Sequence, residues 1–178
     1  LAFSGGNGVS YSGFVGSESA SALSGSLSYG GTSQGATNAG TGYTIVPSGL
    51  SSSNYAITYT NGTLDIAKAN ATVTANSSTS TYNGANQTVS GFTASGLVGS
   101  ETTAVLTSVS ASRTEKNAGT YAVTASGTDT NYNLTFVDGT MTINPAALTV
   151  TASNASKTYD GLAFSGGNGV SYSGFVGS

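Results

Sequence analysis

The chain has 178 residues, of which 37% are hydrophobic and 6% charged, with a net charge of -3 and four basic residues. That apolar content with so little net charge describes a folded chain rather than a disordered one. There is no basic stripe to grip nucleic acid, and no run of about 18 apolar residues to enter a membrane. Cysteine, histidine and tryptophan are absent, so packing and hydrogen bonding must hold the fold without disulfides. That absence also suits a chain threaded unfolded through a secretion pore.

Read in chain order, the first feature is LAFSGGNGVSYSGFVGS at residues 1–17, which recurs letter for letter at residues 162–178. FVGSESASAL (14–23) and its counterpart GLVGSETTAVLT (96–107) do not alternate. In the second, Ser100 is an N-cap candidate and Glu101 falls where a carboxylate suits the helix dipole, so one short helix per repeat is expected. Val98, Val105 and Leu106 would cover the sheet. YAITYTNGTLDI (55–66) reads as a hairpin turning at Asn61-Gly62, because Asn-Gly suits the positive φ of a two-residue turn. A loop there sets Tyr59 against Leu64 and Ile57 against Ile66 on one face. ATVTA (71–75), QTVSGFT (87–93), TSVSAS (107–112) and GTYAVTASG (119–127) read as strands. A second hairpin is expected over 132–143, turning at Asp138-Gly139 and setting Phe136 against Met141 and Leu134 against Ile143. The glycines read as turn chemistry: GGNG (5–8) lacks the lysine of a phosphate loop.

Two offsets organise these elements. Leu1 recurs as Leu162, an offset of 161, and NYAITYTNGTLDIAKA at Asn54 returns as NYNLTFVDGTMTINPA at Asn131, an offset of 77. The same 77 carries TYNG (81–84) onto TYDG (158–161) and NATVTA (70–75) onto ALTVTA (147–152), while NAGTGY (38–43) returns as NAGTY (117–121). The chain therefore reads as a window on an alternating array of two modules. Residues 1–69 are module A lacking its first strand, 70–146 a complete module B, and 147–178 the start of the next module A. The expected fold is mostly β: small antiparallel-sheet modules, stacked end to end as a rod because the junctions are short.

TYDG, then SGFVGSE, then NAGTY, then NYxxTxxxGTxxI closing on alanine resembles the MBG and YDG-type repeats of bacterial surface proteins. The resemblance covers the whole chain, with TYNG replacing TYDG in module B and Gly42 splitting NAGTY in module A. It implies Gly-rich β-modules in tandem within large secreted adhesins, including filamentous-haemagglutinin-like proteins of two-partner secretion and biofilm-matrix adhesins. It implies an extracellular location at the cell surface or in the biofilm matrix, and it supplies no catalytic residues.

The residues agree on chemistry. Without histidine, a nucleophilic serine would need lysine or a carboxylate as base, and no lysine repeats between modules: Lys68 becomes Pro145 and Lys157 becomes Ser80. No enzyme and no cofactor are expected. Weak calcium candidates are Asp129, Asp138 and Asp160, with Asp65, although no DxDxDG run is present. Tyr11, Tyr29 and Tyr82 are weak candidates for stacking on sugars, whereas Tyr55, Tyr59 and Tyr121 read as core. Lys68, Lys116 and Lys157 are candidates for isopeptide bonds, against a plainer solvated role. The expected function is a stalk or spacer repeat, with multivalent carbohydrate binding as the alternative. The expected partners are adjacent repeats, polysaccharide, and other copies of the chain, because each end presents an unpaired sheet edge.

Overall fold

The computed structural model describes residues 1–177. They form two compact units, one of Leu1–Asn70 with Asp129–Asn133 and one of Ala71–Thr128 with Leu134 onward. Both units are built of strands, as the period-2 patterns require.

In the first unit, β1 (Ser24–Gly30), β2 (Gly40–Ser51) and β3 (Gly62–Ile66) form one antiparallel sheet in that order. The long β2 serves both neighbours: its first half sets Gly40 opposite Ile66, Tyr43 opposite Leu64 and Ile45 opposite Gly62, and its second half sets Tyr29 opposite Pro47. The extra glycine of NAGTGY is a bulge. Gly42 lies at φ +74° between the paired residues Gly40 and Tyr43, and its N–H donates to Asp65 Oδ1 at 2.7 Å.

The second unit repeats this scheme and completes it. Its strands are β4 (Ala69–Ala75), which starts at the end of the first unit, then β5 (Ser78–Thr81), β6 (Gln87–Ser90), β7 (Phe92–Ser95), β8 (Val109–Glu115), β9 (Gly119–Val123), β10 (Ala125–Gly127), β11 (Tyr132–Val137) and β12 (Gly139–Asn144). Three sheets share them: β10-β8-β6, β11-β4-β7 and β5-β12-β9. Three chain segments run from one sheet into the next, β4 into β5, β6 into β7 and β9 into β10. The hydrogen-bonded circuit therefore closes: β4/β5 to β7/β6, to β8, to β10/β9, to β12 and back to β5. Every ladder in it is antiparallel except the last, where β12 pairs with β5 in parallel. Closure removes the sheet edges around a core of Val73, Val89, Val109, Val123, Met141 and Ile143. Burying side chains of this size contributes roughly 1.5–3 kcal/mol each.

Equivalent residues pair equivalently in the two repeats. Gly119 lies opposite Ile143, Tyr121 opposite Met141 and Val123 opposite Gly139, as Gly40, Tyr43 and Ile45 do in the first unit. In both, the tyrosine ring folds over the glycine of NAG, within 3.2 Å of where a Cβ would stand. Its hydroxyl donates to the carbonyl of the asparagine, Tyr43 to Asn38 and Tyr121 to Asn117, both at 3.1 Å.

The two expected hairpins do not form. Residues 55–61 contain no strand, and β3 pairs with β2 instead. β11 and β12 are separated by Asp138 alone, yet they lie in different sheets. Among the described residues, none other than glycine has positive φ, and neither Gly62 nor Gly139 does, so the two-residue turn that Asn-Gly and Asp-Gly favour is absent at both places. The physical reason is competition. Both edges of β12 are taken, by β5 and β9, which leaves β11 to pair with β4. The expected helix over 96–107 also shrinks, to a single 3-10 turn at Thr103–Val105. Its N-cap is Thr102, not Ser100, accepting from Ala104 N at 3.4 Å. Gly96 and Gly99, both at positive φ, leave too few residues to repay helix nucleation, and threonine and valine are indifferent helix formers. Leu106 at the end of the turn is 2% exposed, but Val98 and Val105 stay in solvent at 59% and 38%. The counterpart turn is Ala20–Ala22, capped by Ser19.

Beyond β12, β13 (Thr149–Ala152) pairs antiparallel with β14 (Val170–Ser173). The identical residues 9–12 form no strand. The flanking glycines match, with φ +93° and +91° at Gly8 and Gly169, and +95° and +105° at Gly13 and Gly174. What differs is the pairing: β14 lies against β13, whereas residues 9–12 lie in no ladder among the described residues.

Gly139 and Gly62 occupy the same place in the two repeats but differ in surroundings. A Cβ on Gly139 would stand 2.3 Å from the Asn76 carbonyl oxygen and 2.6 Å from that of Ala75, whereas on Gly62 its nearest neighbour is Ile45 at 3.7 Å. Gly139→Ala should force β4 and β12 apart and destabilise the second unit by about 1–3 kcal/mol. Gly62→Ala should leave stability unchanged. Chemical denaturation of the two variants beside the parent chain checks both.

Candidate functional site

In the first unit, residues 7–14 and 55–63 border a cavity of about 730 Å³. Tyr11 and Tyr29, two of the three sugar-stacking candidates, line it together. Tyr11 is 43% exposed and tilts against Phe14 with ring centres 6.0 Å apart, and Phe14 meets Tyr55 edge-on at 5.5 Å. Tyr29 is half-buried with its ring pressed against Gly6, so its face is already used. The third candidate, Tyr82, is elsewhere: it lines a groove of about 430 Å³ in the second unit with Ala118, Pro145, Leu148 and Phe175. The structure thus joins two of the three tyrosines and separates the other.

Tyr59 and Tyr55 hold backbone groups. Tyr59, expected in the core, is 36% exposed; its hydroxyl accepts from Leu50 N at 2.7 Å and donates to Leu50 O at 3.0 Å. The Tyr55 hydroxyl donates to the Glu18 carboxylate and accepts from Val15 N. The bond to Glu18 stabilises the protonated phenol and raises its pKa above the ordinary tyrosine value. This contact is present below that ordinary value and is lost as pH rises through the raised one.

Asp129 and Asp160 are likewise committed. Asp129 Oδ1 accepts from Asn131 N at 2.7 Å and Tyr132 N at 3.1 Å. Asp160 Oδ1 meets Lys157 Nζ at 2.7 Å and Leu162 N at 2.9 Å; the lysine contact lowers its pKa first, the backbone bond second. Asp138 is the single residue between β11 and β12. Among the described residues, no three His, Cys, Asp or Glu come together in a way that would hold a metal. Lys68 Nζ donates to the Asp129 carbonyl at 2.6 Å, and Lys157 Nζ to the Leu162 carbonyl at 2.7 Å.

A clasp that the sequence reading did not single out involves Asn131. With Asp129 shaping its turn, Asn131 Oδ1 accepts from Ala39 N at 2.8 Å and its carbonyl from Ala69 N at 2.9 Å. Its Nδ2 reaches Asn38 Oδ1 at 3.3 Å. All these residues belong to the first unit. The available signal was that both words, NAG and NY, occur in each repeat at matching places. Asn131→Ala strips the Ala39 N–H of its partner in a half-buried setting. It should cost about 1–3 kcal/mol of first-unit stability, read from hydrogen exchange at the Ala39 amide and from denaturant midpoints.

Among the described residues, no helix is long and apolar enough to cross a membrane. Neither the curated proteins nor the solved structures contain a match to the chain. The description of one family, the MBG domain (YGX type), matches residues 4–65 and again residues 71–142. Each span contains one copy of the tyrosine-over-glycine packing, and the chain belongs to the MBG domain (YGX type) family as two tandem copies.

Proposed function

We propose that this chain is a structural spacer from the stalk of a secreted bacterial surface adhesin, holding a binding tip away from the cell or building a matrix fibre. The observation that carries the reading is what the two repeats have in common. They share strand register, the tyrosine-over-glycine lock and the capped 3-10 turn, all of which support backbone. The side chains with chemical potential are not shared. Lys68 is replaced by Pro145, Asp160 by Asn83 and Tyr11 by Ala94 at equivalent positions. A repeated module that conserves its scaffold and varies its surface supplies length. The same features support a non-catalytic role and an extracellular setting, where a fold without cysteine needs no oxidation step.

The exposed ring of Tyr11 beside the first-unit cavity favours one alternative, binding of an exopolysaccharide or host glycan at many weak sites. Affinity electrophoresis through gels containing bacterial exopolysaccharides, with a glycan array alongside, separates the two. The spacer reading expects unretarded migration and no array signal. Retardation that disappears in Tyr11→Ala would replace it with the glycan-binding reading.

A further inference from the structure

We infer that order in the first unit depends on order in the second, because the second repeat lends the first unit the loop Asp129–Asn133. Opening of the second unit then carries into the first, and the two tandem copies do not open one at a time. The inference stands apart from the spacer reading.

Repeats and compact units do not share a boundary. One family match ends at residue 65 and the next starts at residue 71, yet the first unit takes in Asp129–Asn133 from deep within the second match. The chain lies in the second unit up to Thr128, in the first for this loop, and in the second again from Leu134. Both ends of the loop are anchored: β10 ends at Gly127 beside β8, and β11 starts at Tyr132 beside β4. Two strands also change unit along their length. In β4, residues 69–70 belong to the first unit and 71–75 to the second; in β11, residues 132–133 belong to the first and 134–137 to the second. These two strands are hydrogen-bonded neighbours.

The bonds that the loop makes reach far along the chain. Asn131 Oδ1 accepts from Ala39 N, 92 residues away, and the Asn131 carbonyl accepts from Ala69 N. The Asp129 carbonyl accepts from Lys68 Nζ, and Asn131 Nδ2 donates to Asn38 Oδ1. Within the loop, Asp129 Oδ1 holds Asn131 N and Tyr132 N, which fixes the turn that presents these groups. Tyr132 beside them is 4% exposed. Ala39, Ala69 and Asn131 are half-buried, so an amide that loses its acceptor there bears a desolvation cost that an exposed one would not.

The dependence follows from chain entropy. While β10 and β11 are held in their sheets, the loop between them has little freedom left to lose when it closes on Ala39 and Ala69. Once the second unit opens, the same few bonds must close a free chain of about 60 residues between Ala69 and Asn131, and the entropy opposing closure grows with that length. The effective concentration of the loop at its acceptors falls, as it does for any ligand on a lengthened tether. Coupling of this kind is reciprocal: what loosens the clasp must also loosen the second unit, whose β10 and β11 it joins.

Hydrogen exchange resolved by residue on the full chain tests the inference. The reporters of the second unit are Gly91 N and Asn76 N, which donate to Ala111 O and Gly91 O. Met141 in that unit's core is 1% exposed, and Met141→Ala should speed exchange at both reporters by about 30-fold or more. Exchange at Ala39 N and Ala69 N should rise in step. Should Met141→Ala fail to fold, Ile143→Val, at a side chain also 1% exposed, makes the same comparison with a rise of about 2–12-fold. In the reciprocal arm, Asn131→Ala should speed exchange at Gly91 and Asn76 by about fivefold or more. Unchanged exchange at Ala39 and Ala69 in a core variant that loosens Gly91 and Asn76 overturns the inference. So does an Asn131→Ala variant that leaves Gly91 and Asn76 as protected as in the parent.

Discussion

Strand pairing is what this protein depends on, because little else holds it. With 6% charged residues and no cysteine, the backbone ladders and a modest apolar core carry the fold. The pairing of β5 with β12 matters most, since it turns an open succession of sheets into a closed circuit. With β5 and β12 paired, the interior of Val73, Val123, Met141 and Ile143 is buried. The first unit shows the same scheme without that strand: its sheet has three members, its walls are irregular, and a cavity lies between them.

Many polar side chains in both units bond to backbone. Tyrosine hydroxyls answer asparagine and leucine carbonyls. Asp129 and Asp65 receive amide protons at a turn and a bulge. An unpaired buried amide costs more than an average hydrogen bond contributes, so a small β-module with short strands has many such demands to meet. The abundance of Asn, Ser and Thr is therefore structural as well as superficial.

Much of the β content was legible in the sequence. Strand alternation at 71–75, 87–93 and 119–127, the 77-residue offset that aligns Ile66 with Ile143, and the return of NAGTGY as NAGTY that aligns Gly40 with Gly119, all reappear in the ladders. The hairpins were misread because Asn-Gly and Asp-Gly report a local preference. β12 is claimed on both edges by strands distant in sequence, and nonlocal pairing overrides turn propensity. The helix was misread because a good N-cap, Ser100, was weighed without the positive-φ glycines at 96 and 99 just before it. The site was legible only as residue types. No spacing in the sequence says that Tyr11 and Tyr29 share a cavity while Tyr82 lies apart, and the Asn131 clasp depends on backbone amides that no residue letter displays.

The parallel ladder between β5 and β12 has a consequence for load. Tension along the chain would pass through β4 into β5 and leave after β12, and β5 and β12 lie side by side in the same direction. Pulled apart at opposite ends, parallel neighbours slide along each other, so their hydrogen bonds from Ser78 to Thr81 are stressed together rather than peeled one after another. The order of strands that seals the core also sets the module in shear.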